Sequence, residues 1–239
     1  MNLRLASVQH LTLGVIDLDI ADDLITAISP AGTTSFDGTT HDLPGHIVLP
    51  GFVEPHAHLD KAFLADRIDN PDGDLLGAIR GLEAVRESIT YEDIVERAVA
   101  AAQLMSRNGV TSVRTHADTT EGGGLTSVLA LLEAKRLCAP FIDVQVAMLL
   151  GWPVTGHEGT NSRALALEAI AAGVDVVGGC PHLDPDPRGA VEYFLQLALE
   201  HSLPLDLHAD ENLRASSQDL SYLACLLYTS DAADDSLRV

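Results

Sequence analysis

The chain has 239 residues, 46% of them hydrophobic, which is enough to bury a substantial core and excludes a disordered chain. Fourteen basic against 35 acidic residues give a net charge of −21, a surface that repels phosphate backbones and anionic lipid, so neither nucleic acid nor a membrane is an expected partner. Three widely spaced cysteines, Cys138, Cys180 and Cys225, argue against a disulfide framework and for a reducing, cytoplasmic setting.

Residues 1–46 read as short strands and turns. Leu11 to Ile20 is β-branched and apolar, Ala21-Asp22-Asp23 turns the chain, and Ser29-Pro30-Ala31-Gly32 is a second turn. This is too little sheet to stand alone. From His46 the pattern changes. An apolar run leads into Glu54-Pro55-His56-Ala57-His58, and a long helical stretch follows. Thr90 with Asp93 resembles a capping box, and Tyr91 to Asn108 is a helix stopped by Gly109. Strands are then expected at 110–116, 141–149, 174–180 and 203–208, with helices at 125–138, 161–172 and 187–201 between them.

Apolar strands alternating with amphipathic helices signal a parallel sheet covered on both faces. Histidines fall at the C-terminal ends of four strands: His58, His116, His182 and His208. In a (β/α)8 barrel that rim carries the chemistry. A doubly wound open sheet is the alternative, with its ligand at one switch point. The expected fold class is therefore α/β: an incomplete (β/α)8 TIM barrel of about five of eight strands over residues 47–224, preceded by part of a small β-sandwich over 1–46. Residues 225–239 contain a string, Cys225 to Asp235, that resembles an in-frame translation of a transposase-type sequencing adapter. This stretch is expected to be a non-native tail.

His56 and His58, two apart at a strand end, present both imidazoles on one face, as two ligands of one metal ion would; the pair also arises incidentally. His208, on another strand end, can complete a three-nitrogen face, and Glu211 just beyond it can reach a metal-bound water. Such a water, as hydroxide, is the expected nucleophile.

The motifs Val53-Glu54-Pro55-His56-Ala57-His58-Leu59-Asp60, Val113-Arg114-Thr115-His116-Ala117-Asp118, Val176-Val177-Gly178 with Pro181-His182, and Asp206-Leu207-His208-Ala209-Asp210-Glu211 resemble the cytosine deaminase branch of the amidohydrolase superfamily. The resemblance covers residues 45–220. It implies one divalent ion (Zn or Fe) on His56, His58 and His208, with Glu211 as proton shuttle. It also implies a further histidine after strand six and an aspartate ligand after strand eight, which this sequence does not contain. Strand four carries no lysine, which speaks against a two-metal site bridged by a carboxylated lysine.

The glutamine that reads the pyrimidine edge in cytosine deaminase aligns with Gly151, beside Trp152, the single tryptophan. Trp152, Lys61 and His182 are the candidate substrate contacts; Trp152 is equally open to a packing role and Lys61 to an ion-pair role, while His182 faces the rim. His116 is either an orienting group near the metal or a satisfied core histidine. The expected activity is hydrolysis of a C–N bond of a small nitrogen heterocycle, a deamination. The alternatives are removal of an alkylamine from a triazine-like ring, as in an N-isopropylammelide-type amidohydrolase, or a non-catalytic metal-binding relative. The fragment itself is expected to be inactive, and homo-oligomerisation is left open for the full-length parent.

Overall fold

A computed structural model describes residues 2–71 and 73–235, the last seven by their backbone alone. The chain divides into two compact units at Gly51/Phe52.

The first unit is a four-stranded sheet of β1 (Asn2–His10), β2 (Gly14–Ala21), β3 (Leu24–Pro30) and β4 (Thr39–Asp42), ordered β3-β2-β1-β4. Its hairpins are antiparallel and β4 joins β1 in parallel. Val8, Ile16 and Leu18 form a small core. The turn expected at 29–32 starts later: Ser29 and Pro30 complete β3, the chain turns over 31–34, and Gly32 takes a positive φ.

The second unit begins with β5 (Phe52–Ala57). The helical stretch expected next is interrupted. A single 3-10 turn at Leu59–Lys61 precedes an irregular segment, then α1 (Leu75–Val85), N-capped by the Asp74 carboxylate. Helix α2 (Tyr91–Arg107) starts where Thr90 accepts the Asp93 N–H and stops at Asn108 and left-handed Gly109. Then follow β6 (Val110–Thr119), α3 (Thr126–Cys138), β7 (Asp143–Leu150), α4 (Thr160–Ala172), β8 (Val177–Gly179), α5 (Pro187–His201), β9 (Leu205–Leu207) and α6 (Asp219–Asp235).

Strands β5-β6-β7-β8-β9 are hydrogen-bonded neighbours in sequence order, all parallel. A doubly wound sheet reverses its order at a switch point, and this one does not. It is a curled arc of five strands with helices on its convex side, the architecture of an incomplete (β/α)8 barrel preceded by a small β unit. Strand β8 is three residues where seven were expected, and at its centre Asp206 O and Met148 O lie within 2.6 Å of where a Gly178 Cβ would stand. The core lies between sheet and helices, around Val113, Val146, Met148, Leu131 and Phe194.

Helix α6 runs across Ala224–Cys225 without a break. Beyond that point Cys225, Leu227 and Tyr228 are exposed and Leu226 is half-buried; 236–239 of the expected tail lie outside the described residues. Among the described residues no helix is long and apolar enough to cross a membrane.

Candidate metal centre

The C-terminal ends of β5, β6 and β9 converge. His56 lies in β5 and His58 just past its end, His116 lies in β6, and His208 follows β9. One ring nitrogen from each of the four lies within 4.8 Å of those of the others. His58 is held by the 3-10 turn after it, in which Leu59 N–H donates to Thr115 Oγ1 at 2.8 Å. His208 is held twice through its backbone. Its N–H donates to Gly179 O at 3.0 Å, and its carbonyl accepts from His182 Nδ1 at 2.9 Å.

The Nε2 atoms of His208 and His58 are 3.3 Å apart. Two nitrogens on one tetrahedral zinc, each about 2.0–2.1 Å from it, stand roughly this far from one another. The rings are also in the right state. His58 is pushed down to about 3, first by burial, then by the Lys61 ammonium and the neighbouring His116 and His208. His208 is pushed down to about 4, by burial and then by His116 and His56. Both are neutral at pH 7, the form that ligates. His208 Nδ1 and His116 Nε2 are buried with no hydrogen-bond partner among the described residues. A divalent ion therefore fits the donor set present.

The cluster opens into a cavity of about 330 Å³ lined by His58, His208, Lys61, Trp152, Cys180 and Glu211, with an apolar side from α1 that includes Ile79 and Leu82. Glu211 lines the cavity, while its neighbour Asp210 is engaged elsewhere. Asp210, at φ +58°, accepts from Asp219 N and Leu220 N and so caps α6. The Lys61 ammonium bonds Asp118 Oδ1 at 2.7 Å and Asp60 at 3.1 Å; against the cost of burial, the two carboxylates raise it. Lys61 is thus both an ion-pair partner and a cavity residue.

Trp152 is 40% exposed at the rim. The loop after it is clamped by Asp184, which accepts Val154 N–H at 2.7 Å and both the N–H and hydroxyl of Thr155. Gly151 does line the cavity. Burial, then Glu211 and Asp118, push the Cys180 thiol up to about 12, so in the metal-free protein it is protonated at neutral pH.

One placement differs from the expectations, and one that was left open can be described. His182 does not line this cavity. It is 4% exposed, spends Nδ1 on the His208 carbonyl and borders a separate pocket with Arg188 and Arg214, so it acts on the site through the backbone. His116, whose role the sequence left open, is a full member of the cluster, completely buried, with Nδ1 3.3 Å from Ala57 O. Beneath it Asp206 pairs with Arg114 at 2.8 Å, and its carboxyl is held well below the usual range, by His116 first and then by Arg114.

Residues 47–221 match the amidohydrolase family. A pterin deaminase from Rhizobium rhizogenes is 27% identical over 196 residues, 82% of this chain and 44% of the relative. An N-isopropylammelide isopropyl amidohydrolase from Pseudomonas sp. (strain ADP) is 29% identical over 210 residues, 81% of this chain and 49% of the relative. A 5-methylcytosine deaminase from Klebsiella pneumoniae, solved with 5-fluorocytosine, superposes with a TM-score of 0.83 at 32% identity, over 92% of this chain and 54% of that one. The chain spans about half the length of the curated relatives it matches. With well over half of its residues matched, from the first barrel strand into α6, the chain belongs to the amidohydrolase family.

Proposed function

We infer that this chain carries the metal-binding part of a hydrolase that cleaves a C–N bond of a small nitrogen heterocycle. One observation carries the reading: His58 and His208 of the imidazole cluster line one cavity together with Glu211, and α1 supplies an apolar side to it. His56, His58 and His208 are the ligands of one divalent ion, zinc or iron. When bound, the ion supplies Lewis-acid activation of water at neutral pH.

The chain's own residues divide the remaining work. Glu211 takes the proton as water oxygen adds to the ring carbon, then delivers it to the exocyclic nitrogen. The C–N bond breaks with its electron pair on nitrogen, and ammonia or an amine leaves. Lys61, fixed by Asp60 and Asp118, sets its ammonium beside a ring carbonyl of the substrate. Trp152 offers a face on which a planar ring stacks. His182 positions His208 and makes no substrate contact. The deaminase and aminohydrolase names of the relatives support amino-substituted heterocycles as the substrate class. Loss of an alkylamine from a triazine is the second reading, favoured by the apolar α1 side of the cavity.

In this reading turnover belongs to a closed barrel. Among the described residues β5 and β9 are the free edges of the arc, and five strands alone leave its concave face open to water. The test is amine release from a panel of aminopyrimidines and aminotriazines, by the 239-residue chain and by a form in which the barrel is closed. Release by the closed form, lost on Glu211→Gln, supports the assignment. Turnover indifferent to Glu211→Gln contradicts it.

A further inference from the structure

We propose that the pocket between the starts of α5 and α6 is a second ligand site, built for a small zwitterion with an ammonium at its inner end and a carboxylate at its mouth, an amino acid. The pocket is separate from the cavity that holds Glu211, and the inference does not depend on the function proposed above.

The pocket has a volume of about 360 Å³ and is bordered by His182, Asp186, Arg188, Arg214, Ser217 and Asp219. Two of these side chains are buried, His182 at 4% and Asp219 at 6% exposure, and form its inner wall. Each ends in a polar atom that has no partner among the described residues, His182 Nε2 and Asp219 Oδ2. The His208 carbonyl decides which imidazole nitrogen is bare. A carbonyl only accepts, so Nδ1, 2.9 Å from it, carries the proton and Nε2 presents a lone pair. Asp219 Oδ2 is an acceptor as well. Burial and then the nearby Asp210 raise the Asp219 carboxyl, the sign of a negative charge short of compensation. Folded proteins rarely leave buried polar atoms unmatched, and two acceptors bordering one space call for a donor inside it.

The mouth has the opposite character. Arg188 and Arg214 are exposed, and neither guanidinium has a hydrogen bond or ion pair among the described residues. Arg188 is held in place by stacking on Tyr222, 4.9 Å from the ring centroid.

The two ends together select the ligand class. A metal ion would find two ligands where structural sites supply four, and two guanidinium groups nearby to repel it. A simple anion such as phosphate would meet a carboxylate and an imidazole lone pair, neither of which donates to it. A molecule carrying both charges satisfies both ends. Its ammonium donates to His182 Nε2 and Asp219 Oδ2, and its carboxylate accepts from the guanidinium groups, whose N–H forks match carboxylate oxygens.

The test is calorimetric titration of the metal-free 239-residue chain with glycine, L-alanine and 4-aminobutyrate, beside acetate and methylammonium, which carry one end each. The expected result is one site per chain for at least one of the amino acids. It should bind at least about tenfold more tightly than either single-ended probe, as the loss of a hydrogen-bonded charge implies. Asp219→Asn should weaken that amino acid at least about tenfold, and so should the Arg188→Gln/Arg214→Gln double variant, with circular dichroism unchanged in both. Binding of none of the amino acids means that water fills the pocket, and overturns the proposal. Acetate or methylammonium binding as tightly as the amino acids overturns it too, because the pocket then reads one charge only. Binding unchanged in both folded variants places the ligand elsewhere, with the same consequence. The comparison among probes uses the unmutated chain alone, so it decides the question even where a variant does not fold.

Discussion

His58 and His208 are 150 residues apart in sequence, yet their Nε2 atoms meet at 3.3 Å. Nothing covalent or apolar joins the rings. The contact exists because β5 and β9 end at the same level of one curled sheet and each strand end is pinned, one by Thr115 and the other by Gly179 and His182. Two nitrogens held so close, both neutral at pH 7, are arranged for something that sits between them.

The metal-free protein should be acid-labile. An unfolded histidine takes up its proton near 6.5, whereas folded His58 and His208 resist to about 3 and about 4. Between those values the unfolded state binds more protons. Stability contributed by these rings is therefore complete above pH 6.5 and is lost as pH falls toward 4. Thermal unfolding from pH 4 to 8 should show a falling Tm below about pH 6.5, flattened in His58→Gln. A Tm that rises on acidification across that window would reverse the sign of the account.

Gly179 should not tolerate a side chain. A Cβ there would overlap the Phe194 ring, and the same residue's carbonyl holds His208 N–H. Gly179→Ala is expected to cost about 1–3 kcal/mol by overpacking. It should weaken metal binding as well, because His208 shifts with its strand end. Chemical denaturation and a zinc titration measure the two effects; a variant as stable as the parent would mean that the ring moves aside freely.

Asp184 should matter to Trp152 without touching it. Replacing it with alanine leaves the buried Val154 N–H and the half-buried Thr155 donors without this acceptor, at about 1–3 kcal/mol. Since Trp152 is the single tryptophan, its emission reports the loop directly. Asp184→Ala should shift that emission to the red and lower Tm; unchanged emission would separate the clamp from the tryptophan.

Much of the second unit was legible because its signals are local. The Thr90 cap, the Gly109 and Gly173 stops and Pro187 at the start of α5 act within a turn of where they stand. The order of the strands followed from alternation alone. What failed needed tertiary information. The backbone crowding around Gly178 in the short β8 is set by its neighbour strands, and the run after His58 broke because the 3-10 turn and the Asp74 cap divide it. At the site, the His-x-His pair, His208 and Glu211 could be singled out by spacing and resemblance, but His116 could not. Its sequence signal, a histidine at the end of the adjacent strand, is the same for a core residue and a ligand. His182 carried that same signal and turned out to hold a backbone carbonyl. The pairing of Ala57 with Thr115 sets His116 level with His58, a placement that needs the register of the sheet.

The most direct test of the central claim, that the converging histidines hold one divalent ion, is metal content after equilibrium dialysis of the 239-residue chain against zinc. The account predicts one zinc per chain, lost in the His58→Ala/His208→Ala double variant while its circular dichroism stays that of the parent. A chain that retains no zinc, or a double variant that retains as much as the parent, would contradict it.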